Sequence, residues 1–65
     1  MYNICVEMPS GARSRGYDRE KEEDALKFLD SVIRQLREWK GFVADVLLRE
    51  DAKEISREHI QNAER

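Results

Sequence analysis

Between Ala25 and Trp39 the apolar side chains recur with the period of a helix, and on both sides of that segment the period falls to two. Few architectures accommodate that order. At 100° per residue, Ala25, Leu26, Phe28, Leu29, Val32, Ile33, Leu36 and Trp39 fall within an arc about 160° wide, the stripe of a helix with one buried face. The helix is expected over 19–40. Asp18 can cap its first turn, Glu20, Glu22, Glu23 and Asp24 lie near its positive end, and Arg34, Arg37 and Lys40 lie near its negative end. Gly41 should stop it, because glycine takes the left-handed conformation after a last turn at little cost.

Before the helix, Tyr2, Ile4, Val6 and Met8 alternate with Asn3, Cys5 and Glu7, which predicts a strand over 2–8 with one apolar face. Pro9 ends it, since it has no N–H to donate, and Ser10-Gly11 supplies a turn. Residues 12–17 then form either a loop or a short strand returning along the first as a hairpin; Gly16 speaks against the strand. After the helix, Phe42, Ala44, Val46 and Leu48 alternate with Val43, Asp45, Leu47 and Arg49, a strand over 42–49. Both strands can lay an apolar face on the helix. The expected fold is α+β, a strand–helix–strand core with parallel strands and a right-handed crossover. Asp51 and Glu54 stand three apart ahead of Ile55, a variant of the capping box, so a C-terminal helix is expected over 52–63. Ile55 and Ile60 are its only large aliphatic residues.

Composition bounds what this fold can be. With 65 residues there is one domain, 1–65, and such a chain buries only about 60% of the surface its unfolded form exposes. Cys5 is the only cysteine and His59 the only histidine, so neither a disulfide nor a metal staple is expected, and no cofactor is implied. Self-association is the remaining source of stability, and a homo-oligomer is expected. The net charge of -2 argues against general nucleic-acid binding. No apolar run is long enough for a membrane span, and no basic leader opens the chain, so a cytoplasmic protein away from membranes is expected.

The segment from Ser10 to Tyr17 carries the sharpest chemical signal. Arg13 and Arg15 offer forked donors, Ser14 a hydroxyl, Tyr17 a stacking face, and Arg19 stands at the expected helix start, where anions are favoured. These five residues are the candidate ligand site, for a phosphate or a carboxylate. Gly11 and Gly16 have the spacing of a nucleotide-hydrolase phosphate loop, but Tyr17 and Asp18 stand where Lys and a hydroxyl are required. The alternative is a solvated connection with ordinary surface arginines.

A second candidate surface is apolar. Cys5, Val43 and Leu47 share the strand face turned away from the helix, and with Ile55 and Ile60 of the terminal helix they form the candidate interface. Either that helix covers the face within the chain or a second subunit does. A pairing of Cys5 with His59 would be the only nucleophile–base couple in the chain. A mid-strand cysteine lacks the exposed cleft such a couple needs, so no catalytic residue is assigned. Phe28 and Trp39 border the helix arc as core residues or as interface anchors.

A strand–helix–strand core is shared by too many unrelated proteins to carry a function. The expectation is a small, non-enzymatic, self-associating interaction protein of the adaptor or inhibitor kind, resembling compact blocking proteins that phages encode. The alternative is an oligomer that sequesters an anionic small ligand, such as a nucleotide signal, through Arg13–Arg19.

Overall fold

The computed structural model describes residues 1–64. Strands β1 (Tyr2–Glu7) and β2 (Tyr17–Arg19) precede helix α1 (Glu22–Leu36), and strands β3 (Val43–Glu50) and β4 (Lys53–Gln61) follow it. They form one antiparallel sheet in the order β2-β1-β3-β4. The class is α+β as expected, but the central pair β1 and β3 is antiparallel where a parallel crossover was expected. The reason lies in residues 8–19. Gly11 N donates to Met8 O at 2.8 Å, Met8 N to Ala12 O at 2.8 Å, and Arg13 bridges Glu7, so the chain reverses at Pro9-Ser10 and runs back along β1. The helix therefore starts at the end of the sheet where β1 started, and β3 must return in the opposite sense.

The returning arm pairs in two pieces. Arg13 opposes Glu7 while Tyr17 opposes Ile4, so three residues, Ser14 to Gly16, face two on β1. Gly16 absorbs the extra residue with φ +75°, and a Cβ there would stand 2.6 Å from the Asn3 amide. Because Tyr17–Arg19 is strand, α1 begins three residues later than expected. Asp18 does not cap it; its carboxylate instead accepts a hydrogen bond from Asn3 Nδ2 at 3.0 Å.

At the other end α1 stops at Leu36 rather than Lys40. Glu38 N and Trp39 N donate back three residues, to Gln35 O and Leu36 O at 3.2 Å each, so the last turns tighten. Gly41 takes the expected left-handed conformation, φ +70°. Trp39 thus lies beyond the helix, 57% exposed, edge-on to Phe42 with ring centroids 5.2 Å apart.

The largest departure is at the C-terminus, where the expected helix 52–63 is strand β4. Asp51 adopts φ +55° and turns the chain so that Lys53 opposes Glu50, a conformation no helix N-cap has. Two isoleucines five apart cannot make a helical stripe, whereas the open edge of β3 offers a full ladder of backbone partners. The pairing is regular from Gln61 to Ser56, then shifts: Leu48 opposes Ser56 but Arg49 opposes Glu54, leaving Ile55 as a bulge.

The core lies between sheet and helix. Ile4, Val46, Leu48 and Ile60 are buried against Ala25 and Leu36, with Phe28, Leu29, Val32 and Ile33 half-buried around them. α1 packs on β1, β2 and β3, and β4 joins the core through Ile60.

Candidate functional site

The sheet face turned away from α1 is closed by charge. Leu47 and Cys5 face each other across β3 and β1, and both are buried, Leu47 completely. Arg57 stands opposite Leu47 on β4. Its Nη1 donates to Asp45 Oδ2 at 2.6 Å and to Glu7 Oε1 at 2.9 Å, and its Nη2 donates to Glu54 Oε1 at 2.9 Å. Glu7 lies on β1, so the side chain must span β3 beside Leu47, its stem covering apolar surface while its head holds three carboxylates. Arg13 Nε donates to the other Glu7 oxygen at 2.7 Å, and His59 Nδ1 lies 2.6 Å from the other Asp45 oxygen. The chain Arg13, Glu7, Arg57, Asp45, His59 crosses β4, β3, β1 and the returning arm.

The electrostatics follow from these contacts. Hydrogen bonds from Arg57 and Arg13 hold the Glu7 carboxyl below its ordinary value, and His59 and Arg57 do the same to Asp45. The Asp45 carboxylate holds the His59 imidazole above its ordinary value. An Asp–His pair of this kind orients an imidazole for proton transfer, but among the described residues no Cys, Ser or Thr side chain is hydrogen-bonded to it. Cys5 and His59 are separated by β3, and Ser14 Oγ accepts a hydrogen bond from Val6 N at 2.9 Å.

The five candidate ligand residues are not brought to one place. Arg13 is drawn to the charged face by Glu7. Arg19 opposes Tyr2, on the helix side of the sheet, and lies 4.4 Å over the Phe28 ring. Tyr17 leans on that same ring at 5.0 Å and is 59% exposed. Ser14 is tied to Val6, and Arg15 is exposed. The candidate interface residues are also divided. Cys5 and Leu47 lie on the charged face, Ile60 is buried on the opposite face under α1, Val43 is half-buried, and Ile55 is the half-exposed bulge.

The open surfaces lie elsewhere. β4 is the sheet's edge, and eight of its nine residues are exposed. At its start an open groove of about 770 Å³ is lined by Glu22 of α1, by Glu50, Asp51, Ala52 and Lys53 of the hairpin, and by Glu54 and Ile55. Tyr2 OH donates to Glu22 Oε2 at 3.1 Å, and burial together with Glu22 and Glu50 pushes the phenol up to about 12. Glu7, Asp45, Arg57, Glu22 and Glu50 carry no signal as isolated residues. The segment that brings Glu7, Asp45 and Arg57 together, Lys53 to Gln61, has Ile55 and Ile60 as its only aliphatic residues and no apolar–polar alternation to mark it as a strand.

Among the described residues no set of His, Cys, Asp and Glu is arranged to hold a metal ion, and no helix is long and apolar enough to cross a membrane. Comparison with protein-family models, with curated proteins and with solved structures finds no match.

Proposed function

We propose that the protein acts by binding a macromolecular partner, as a small non-enzymatic interaction protein of the adaptor or inhibitor kind working in the cytoplasm, and that the free edge of β4 is the surface it offers. One observation carries this reading. A nine-residue strand, almost wholly exposed, ends the sheet with no strand on its outer side among the described residues. Such an edge is a row of N–H and C=O groups that an extended segment of another chain can pair. On the opposite sheet face Glu7, Asp45, Arg57 and His59 support the same reading, because each is paired with a neighbouring ionisable side chain. The self-association expected for so small a core would need a surface other than Cys5 and Leu47, which are closed within the chain.

Sequestration of an anionic ligand through Arg13–Arg19 has less support, since Glu7 holds Arg13 while Arg19 lies on the other side of the sheet. Hydrogen exchange on a complex isolated with the chain as bait separates the two readings. Protection gained along 53–61 is the expected result; protection confined to 10–19 would favour the anion site, and unchanged exchange in β4 would remove the edge reading.

A further inference from the structure

Resting on that reading, we infer that the segment received by β4 is extended and basic, with a lysine or arginine entering the groove between the start of α1 and the β3–β4 hairpin. Three features of one region converge on this occupant. The edge of β4 supplies backbone pairing. At the end of the edge, Glu22, Glu50, Asp51 and Glu54 line the groove with Lys53; Asp51 is shared with the N-terminal ammonium at 3.4 Å and Glu54 with Arg57 at 2.9 Å, so the carboxylates of Glu22 and Glu50 supply the negative field that an entering side chain meets. Ile55 in the groove wall and Leu26, one turn along α1 from Glu22, are each about half exposed, at 49% and 47%, and give apolar neighbours of the incoming segment a place to pack.

A second copy of the chain fits this edge poorly. Directly opposed residues of an antiparallel pair share a face, so a two-fold axis on the regular part of β4 sets one residue against the same residue of the copy. An axis at Arg57, Glu58 or His59 puts like on like, an axis at Ser56 meets the Ile55 bulge within one residue, and an axis at Ile60 or Gln61, at the end of the strand, leaves only a short overlap. The edge discriminates against itself, as exposed edges of monomeric proteins do. A heterologous segment has no such constraint, and its basic side chains complement the groove.

The test uses the full chain labelled for NMR and two seven-residue peptides, one alternating valine with lysine and the other valine with glutamate. The lysine peptide should shift the amides of Lys53–Gln61 and bind at least about tenfold more tightly than the glutamate peptide. Glu22→Gln with Glu50→Gln should reduce that affinity about tenfold, the sum of two exposed charge pairs, and leave the free protein's spectrum folded. Equal binding of both peptides at β4 would overturn the basic partner while keeping the edge as the binding surface. Shifts confined to other regions, or none with either peptide, would overturn the edge reading itself. Sedimentation of the chain alone as a dimer that loses β4 amide exchange would assign the edge to a second copy.

Discussion

His59 and Gly41 show how single residues set conditions on this fold. The pairing of His59 with Asp45 makes stability depend on pH in a definite sense. The imidazole is held above its ordinary value of 6.5, so its contribution is fully present below that pH and is lost as pH rises through the folded-state value. Asp45 and Glu7 are held below theirs, so their contributions are present above the ordinary carboxylate range and are lost as pH falls through the depressed values. The urea midpoint should therefore fall on both sides of a plateau between the carboxylate and imidazole ranges. His59→Gln should flatten the alkaline arm and shrink the Asp45 part of the acid arm while leaving the Glu7 part; an unchanged alkaline arm would show that His59 and Asp45 do not pair in solution. At Gly41, φ +70° opposes any β-branched residue, while Glu64 Cγ, 3.5 Å from the Cβ position, is in ordinary contact. Gly41→Val should cost more than about 1 kcal/mol from conformation alone, and Gly41→Asn should recover part of it. Chemical denaturation of the two variants decides between backbone strain and crowding, since crowding would make Asn no better than Val.

At the scale of elements, the connection from α1 to β3 depends on the last strand. Asn62 Nδ2 donates to Leu36 O at 2.6 Å and to Trp39 O at 2.8 Å, and Asn62 N donates to Phe42 O at 2.9 Å. One side chain past the end of β4 thus gives a second donor to two carbonyls that already accept from Trp39 N and Phe42 N at 3.2 Å where the helix unwinds. Asn62→Ala should cost about 1 kcal/mol, the net worth of such hydrogen bonds, because each acceptor keeps its backbone donor, and amide exchange should quicken first in the last turn of α1. Equal loss of protection over all of α1 would show that the cap has no local role. The same contact explains what could be read from the amino acids beforehand. α1, β1 and β3 were legible because their periodicity and breakers, Pro9 and Gly41, are local. β4 was not, because Lys53 to Gln61 has weak strand character and becomes a strand only when β3 presents an edge and Asp51 turns left-handed. The candidate site failed with it: Arg57 and His59 acquire their partners Glu7 and Asp45 only in that register. Arg13 and Arg19, six apart in sequence, were separated by the hairpin onto opposite sides of the sheet.

For the molecule as a whole, one helix layer on one sheet layer leaves the second sheet face without apolar cover; its smallest principal extent is only 17 Å. In many two-layer proteins such a face is polar throughout. Here it contains Leu47 at 0% and Cys5 at 4% exposure, shielded by Arg57 and its carboxylates rather than by a second helix or subunit. Cys5 and Leu47 are therefore buried within one chain, without a second subunit on this face. The thermal midpoint should stay constant over about a hundredfold dilution, since only folding coupled to association depends on concentration. Leu47→Asp should then unfold the chain outright, because a carboxylate placed under that lid adds a fourth negative neighbour to Arg57 and costs several kcal/mol of desolvation. Leu47→Met, similar in volume and apolar, should fold. A midpoint that rises with concentration, together with a Leu47→Asp variant that stays folded but sediments at half the wild-type mass, would show instead that a second subunit buries this face and that Arg57 shields it only in the isolated chain.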